Sequence, residues 1–427
     1  MDGLQIKYLN NGLRLVFYRL PYRQTVSINV RVDAGTRREA QQSGGIAHFV
    51  EHLLFAGTAR PESPSAIQMV EALGGDLFCA THTEYTSYWL NVPRKYYIQA
   101  LPYFLEMLRH PTFTKERIEQ EKSVILSELA EKQEEPWSQA QLLLDQALWG
   151  NHPLARSTLG REETIGAFTL QQIQDFFTSC YAPERMTIAV VGDIDPAEAF
   201  PVFALHWSDW SPSSEPILSV DTQPELSEQP FVRLRGNEGT IHCYLGLKLP
   251  PLHSSDHSAC HLLSTILGGG MSSRLYSELR DNAGLCYSIE CGVDDLRHAR
   301  ILYIYFAAHP ENFEHIVERI IHICSSLSAE CLSRDEFERN RQFAIGKLLM
   351  EMDDVRFHAR TLALSTFLAN SPVTLDEQIQ GLESLDARGF QRVMQQVLVP
   401  GNLAIGAIGA IDDALWERCQ TLLRSWR

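Results

Sequence analysis

The run His48-Phe49-Val50-Glu51-His52 places two imidazoles four residues apart with a carboxylate beside the second. On a helix, residues four apart stand on one face, so both rings can hold one metal ion. Glu51, three residues after His48, can then lean toward a water on that metal. The order reverses the His-Glu-x-x-His helix of zinc hydrolases. Ser43-Gly44-Gly45 before the run and Leu53-Leu54-Phe55-Ala56-Gly57-Thr58 after it supply a loop, an apolar helix face and a glycine stop. The competing reading is a helix whose two histidines only hydrogen-bond inside a core.

Catalytic zinc takes three protein ligands and keeps a fourth position for water, so a second segment should present one more donor. The segment from Lys115 to Leu129 reads as a helix, with Ile118, Val124, Ile125 and Leu129 at helical spacing. Glu121, Ile125 and Glu128 fall on one face, because seven residues make almost two turns. An unpaired carboxylate in that apolar stripe is expensive, whereas a metal ion, or a hydrogen bond to a ligating histidine, removes the expense. Glu116, Glu119, Glu131, Glu134 and Glu135 read instead as a solvated surface. Spacing alone does not choose between Glu121 and Glu128 as the ligand.

These segments together resemble the pitrilysin and insulinase family of inverzincin metallopeptidases, and within it the half-length members similar to the mitochondrial processing peptidase. In that family the third ligand lies about seventy-six residues beyond the second histidine, and Glu128 is seventy-six beyond His52. The resemblance therefore implies one zinc ion per chain held by His48, His52 and Glu128. It implies Glu51 as general base, and Glu121 as a supporting carboxylate that orients the site without binding zinc.

The chain also repeats itself. Ile188 to Asp195 and Ile405 to Asp412 are 217 positions apart. An offset of 215 lays Ser27 to Val32 over His242 to Leu247, His48 to Thr58 over Leu263 to Ser273, and Tyr85 to Pro93 over Arg300 to Ala308. Independent segments sharing one offset argue for duplication. The proline-rich stretch with Pro212, Pro216, Pro224 and Pro230 reads as a linker between the copies. We expect a zinc-bearing domain over 1–206, a linker over 207–230 and a homologous domain over 231–427, each an α+β sandwich of one mixed sheet covered by helices. Leu4 to Leu9 and Leu13 to Tyr18 form a hairpin around Asn10-Asn11-Gly12. In the second copy Leu263 and Leu267 stand where His48 and His52 sit, so only the first can do zinc chemistry.

Read on their own residues, Arg280 and Tyr287 are a surface cation and a strand aromatic. The resemblance implies more, because in that family an arginine and a tyrosine seven residues apart in the non-zinc domain stabilise the carbonyl oxygen under attack, as hydrogen-bond donors aimed at developing negative charge. A chain carrying both sets permits a homodimeric clamshell around a chamber; a heterodimer with a related half-length chain is the alternative. Gly74 to Thr86 resembles the family's substrate-binding edge strand, with Phe78 in place of the usual asparagine and Cys79 in place of alanine. Backbone pairing with an extended peptide survives that change, and Phe78 favours an apolar neighbour.

Other patterns are decoys. His253, His257 and His261 are four apart, but Pro250-Pro251 and the serines before Asp256 start the helix too late to include His253. Gly268-Gly269-Gly270 lacks the lysine and serine of a phosphate loop. Nine cysteines without a CxxC pair suit reduced thiols in the cytoplasm. No leader and no membrane-length apolar run is visible. A formal charge of -16 argues against nucleic acid and is compatible with an acidic chamber that attracts basic peptides. The expected function is a zinc metalloendopeptidase acting on peptides or unfolded polypeptide segments, for processing or clearance. The rivals are a non-catalytic subunit and a subunit that needs a partner chain for activity.

Overall fold

The apolar runs of the two halves form two sheets that share one strand order. The computed structural model describes residues 3–55, 65–213, 224–236, 239–251 and 256–426. Strands β1 (Leu4–Tyr8), β2 (Arg14–Arg19), β3 (Thr25–Val32), β4 (Asp76–Thr81), β5 (Thr86–Pro93) and β6 (Met186–Gly192) make the first sheet, in the order β1-β2-β6-β3-β5-β4. Strands β7 (Phe231–Arg235), β8 (Ile241–Leu249), β9 (Ser288–Asp295), β10 (Arg300–Ala308) and β11 (Leu403–Gly409) make the second, in the order β7-β11-β8-β10-β9. β2 runs parallel to β6 and β7 parallel to β11, and every other pairing is antiparallel. With β1 set aside, the sheets are the same object twice, as duplication requires.

One detail of that repeat is steric. Gly192 and Gly409 close the equivalent strands β6 and β11 at φ of 148° and 137°. A Cβ at Gly192 would lie 2.7 Å from the Thr25 carbonyl oxygen, and one at Gly409 would lie 2.9 Å from that of Thr240. Only glycine fits both the dihedral and the approach.

Four helices bear on the site and its frame: α1 (Ile46–Phe55), α2 (Lys115–Glu134), α3 (Pro136–Trp149) and α4 (Val355–Ala369). The chain forms two compact units, each discontinuous in sequence. The first comprises Met1–Ala130, Arg156–Thr222 and Glu351–Leu375, and the second Glu131–Ala155, Gln223–Met350 and Asp376–Arg427. Each unit therefore takes one helix from the other half of the sequence.

In the first unit, Val26, Ile28, Val30 and Val32 of β3 pack with Phe49, Val50, Leu53 and Leu54 of α1 and with Ile118, Ile125 and Leu129 of α2. On the opposite face, Val16, Tyr18, Ala189 and Val191 meet Val355, Ala359, Leu362 and Ala363 of α4. Covered on both faces, β3 and β6 are almost wholly buried. Arg31, 1% exposed on β3, is accommodated by stacking near the rings of Tyr85 and Trp89, 4.3 and 5.5 Å from their centroids.

In the second unit α3 rests on the sheet over two glycines. A Cβ at Gly406 would lie 2.1 Å from the Leu144 amide nitrogen, and one at Gly246 would lie 2.9 Å from Leu144 Cδ1. Ala140, Leu144, Ala147 and Leu148 complete this layer against Tyr244, Ile301, Tyr305, Ala404 and Ile408. The helix His257–Gly268 buries Leu263 and Leu267 completely, where the first copy carries histidines.

One expectation for α2 needs correction. Val124 is 52% exposed and does not join the buried stripe. At 100° per residue, Ile118, Ile125 and Leu129 define the core edge, Glu121 and Glu128 stand roughly 60–80° to one side of it, and Val124 lies further round toward solvent. The two glutamates thus occupy the border of the core. Gly57 and the rest of the expected helix stop, His253, and part of the linker lie outside the described residues. Among the described residues no helix is long and apolar enough to cross a membrane.

Candidate metal centre

α1 is held at its start by a buried acid. Both oxygens of Glu39 accept backbone N–H groups ahead of and inside the first turn, from Gly45 and Ala47, each at 2.9 Å. These donors have no partner within a helix, and a carboxylate there also meets the positive end of the helix dipole. Burial outweighs those two bonds and raises the Glu39 carboxyl to about 7. The Gly44-Gly45 loop is fixed from the other side by Leu159 and Gly160. A Cβ on Gly45, at φ 92°, would lie 2.7 Å from the Leu159 carbonyl oxygen, and Thr164 Oγ1 donates to the Gly44 carbonyl at 2.7 Å.

From this anchored helix His48 and His52 project together, with their Nε2 atoms 3.2 Å apart. Glu128 Oε2 of α2 stands 3.8 Å from His48 Nε2 and 3.6 Å from His52 Nε2. Among the described residues this trio is the only group of His, Cys, Asp or Glu side chains close enough to hold a metal. Donors about 2.0–2.1 Å from a tetrahedral zinc sit roughly 3.3 Å from one another. The observed triangle is within about half an ångström of that, and two imidazoles with one carboxylate suit zinc chemically, so the residues fit the ion. Burial lowers the His48 pKa and favours the neutral ring that a metal needs. At His52 burial also pulls downward, but Glu128, Glu51 and Glu121 together outweigh it and raise the ring.

Glu121 reaches the back of His52, its Oε2 lying 3.4 Å from Nδ1, while its Oε1 lies 3.5 Å from Arg117 Nε. That is the place from which a carboxylate fixes a ring's tautomer and orientation. Glu51, 5% exposed, accepts a 2.5 Å hydrogen bond from Thr81 Oγ1 at its Oε2. Thr81 Oγ1 is itself 3.3 Å from Thr86 Oγ1, which donates to the Ala34 carbonyl at 2.9 Å. Cys79, two residues earlier on β4, shares this side. Burial, then the Glu51 charge and a hydrogen bond to it, keep its thiol protonated well above the ordinary range.

Sequence reasoning singled out neither Thr81 nor Glu39. Thr81 could have been found by alternation, since a strand that turns Cys79 toward α1 must turn Thr81 the same way. Glu39 carries no comparable signal, because its distance from Gly45 matches no capping pattern.

Arg280 and Tyr287 belong to the second unit. Arg280 lies in a π-helical segment, Tyr276–Asn282, donates to Tyr276 Oη at 2.6 Å and stacks 4.8 Å from that ring. Tyr287 precedes β9, donates its amide to Ala307 at 2.9 Å, pairs its hydroxyl with His309 Nε2, and leaves its ring 55% exposed. The decoy pair His257 and His261 has ring centroids 6.5 Å apart. Burial and then Arg300 depress both, to about 3 and about 4. A cation there would face a buried guanidinium.

The family model for insulinase (peptidase family M16) matches residues 14–162, which contain the whole histidine and glutamate cluster, and the model for the peptidase M16 inactive domain matches 167–343. The chain belongs to the insulinase family. An uncharacterized zinc protease of Mycobacterium leprae is 27% identical over 397 residues, covering 91% of this chain and 88% of that protein. The uncharacterized zinc protease YmxG of Bacillus subtilis is 26% identical over 388 residues, covering 91% and 94%. A protease from Helicobacter pylori shares the fold at a TM-score of 0.86 and 20% identity, over 95% of this chain and 99% of its own. A putative M16-like peptidase from Alicyclobacillus acidocaldarius does so at 0.80 and 20%, over 95% and 97%.

Proposed function

We propose that this chain is a zinc metalloendopeptidase that cuts peptides or unfolded polypeptide segments. The observation that carries the reading is the triangle of His48, His52 and Glu128 with Glu51 held beside it by Thr81. His48, His52 and Glu128 would hold a zinc ion, which when bound would acidify a water and act as a Lewis acid toward the scissile carbonyl. Glu51 takes a proton from the attacking water and returns it to the leaving amine. The Thr81 bond at Oε2 fixes the Glu51 carboxylate for that transfer. Glu121 keeps the His52 ring in the orientation in which Nε2 faces the other two donors.

β4 ends the first sheet, so its outer edge has no strand neighbour among the described residues. An extended peptide adds there as a further strand, its register set by backbone hydrogen bonds. Phe78, 52% exposed on β4, then selects an apolar residue beside the bond that is cut. In this reading Arg280 and Tyr287, of the same or a partner subunit, donate to the developing oxyanion, and the working form is a cytoplasmic homodimer. The spacing of the two residues and their solvent-facing side chains support that role.

The test is Glu51→Gln. The variant should bind zinc stoichiometrically and lose about 10²–10⁴-fold in peptide turnover. Turnover at the wild-type rate removes Glu51 from the mechanism. A wild-type chain that purifies without zinc and ignores chelators is a scaffold rather than an enzyme.

A further inference from the structure

The peptidase reading leaves unused a buried polar strip on the first sheet. β3 turns Val26, Ile28, Val30 and Val32 toward α1, so alternation turns Ser27, Asn29 and Arg31 toward the face that α4 covers. Asn29 is 0% and Arg31 1% exposed. In register, Asn29 lies between Trp89 of β5 and Ala189 of β6, and Arg31 lies between Ser87 and Thr187. Ala189 shares its apolar layer with Ala359, Leu362 and Ala363 of α4, which shut the strip off from solvent.

Two of these side chains lack partners. Ser27 Oγ donates to Asn91 Oδ1 at 2.7 Å, but Arg31 Nε and Nη1, and both Nδ2 and Oδ1 of Asn29, have no hydrogen-bond partner among the described residues. The rings of Tyr85 and Trp89 cover the guanidinium, yet stacking serves only its faces, and its N–H groups point outward along its edge. Tyr85 adds one neutral hydrogen bond. Among the described residues no carboxylate pairs with Arg31, while Arg360 of α4 is near enough to repel it. His82, on the β4–β5 hairpin, is held at about 3 by burial and then by Arg31, so it brings no compensating charge. Burial lowers the Arg31 pKa, but a guanidinium keeps its proton all the same.

A buried cation without a counterion is strongly unfavourable, and water, which can accept an N–H bond, cannot cancel the charge. Residues two apart on a strand stand roughly 6–7 Å from each other on one face, about two hydrogen-bond lengths. One small ion between them can therefore accept from both. We propose that Arg31 and Asn29 bind a small inorganic anion of chloride size beneath α4, at a site separate from the metal centre. Burial sets the size, because no side chain or terminus of a peptide reaches groups enclosed to this degree. The bound ion offsets the repulsion between Arg31 and Arg360 and so ties α4 to the sheet.

The experiment uses the full-length chain dialysed into sodium gluconate, whose anion is too large for the site. Thermal unfolding is followed as chloride replaces gluconate at constant ionic strength. The melting temperature should rise along a saturating curve, by roughly 5–11 °C once chloride is in about hundredfold excess over its dissociation constant. In Arg31→Leu the gain should vanish. An equal gain in the leucine variant, or no gain in the wild type, overturns the proposal. Wild-type crystals soaked in sodium bromide fix the location and need no variant: an anomalous peak is expected in hydrogen-bond contact with Arg31 Nε or Nη1 and with Asn29 Nδ2. Water alone at that place, or bromide only at exposed surface positions, overturns the proposal even if the leucine variant fails to fold.

Discussion

Glu39 offers a quantitative test of how the ligand helix is anchored. Its carboxyl sits at about 7 in the folded chain against an ordinary 4.5. At 1.36 kcal/mol per tenfold change in proton affinity, that difference is worth about 3 kcal/mol. The sign follows from which state holds the proton. Below 4.5 the group is protonated folded and unfolded alike, and its contribution to stability is fully present. As pH rises the unfolded chain releases the proton while the folded chain keeps it, so stability falls until pH passes about 7. Glu39→Gln removes the titration and keeps an oxygen acceptor for one of the two amides. Thermal unfolding of the zinc-free protein between about pH 5 and about pH 8 should show the wild type losing roughly 6–12 °C more than the glutamine variant, taking roughly 2–4 °C per kcal/mol for a unit of this size. Parallel profiles for the two proteins would refute the reasoning and mean that hydrogen bonds from Gly45 and Ala47 keep Glu39 ionised throughout.

Thr81→Val removes the hydroxyl that fixes Glu51 and should lower kcat by about 10–100-fold, the worth of one hydrogen bond to a charged group, with KM and zinc content nearly unchanged. Thr81→Ser should restore most of the loss in steady-state assays, and a valine variant as active as wild type denies Thr81 any part in positioning the base. Glu121→Gln should weaken zinc binding by about 10–100-fold in chelator competition while leaving thermal unfolding of the zinc-free chain close to wild type. Unchanged affinity would show that the 3.4 Å approach to His52 does not orient the ring.

Much of the candidate site was legible because its information is local. His48 and His52 need only helical periodicity to meet, and the glycines before α1 mark where that helix must start. Glu128 was harder. Periodicity put it on one face with Glu121, and only resemblance to the insulinase family chose between them, because the choice depends on how far α2 is rotated against α1. The same rotation turned Val124 outward against expectation. Thr81 reaches Glu51 across thirty residues through sheet pairing, and Glu39 reaches α1 through a folded-back loop. Alternation groups Thr81 with Cys79 on one face of β4, but which residue of α1 that face meets, like the Glu39 contact, depends on tertiary geometry. The repeat was legible because strands keep their apolar runs even where the chemistry has been replaced, as Leu263 and Leu267 show. Which sheet α4 would cover was not, since Val355, Ala359, Leu362 and Ala363 describe an apolar helix face without naming its partner.

That destination of α4 bears on how the protein is made. Translation delivers β1 to β6 long before residues 355–369 leave the ribosome, so the newly synthesised first sheet waits with Val16, Tyr18, Ala189 and Val191 bare on one side. Nascent chains stalled before Ala369 should bind chaperones or aggregate, and a polypeptide truncated at the midpoint inherits the same open flank. Maturation of the half that carries His48, His52 and Glu128 is in that sense postponed until most of the other half has been translated.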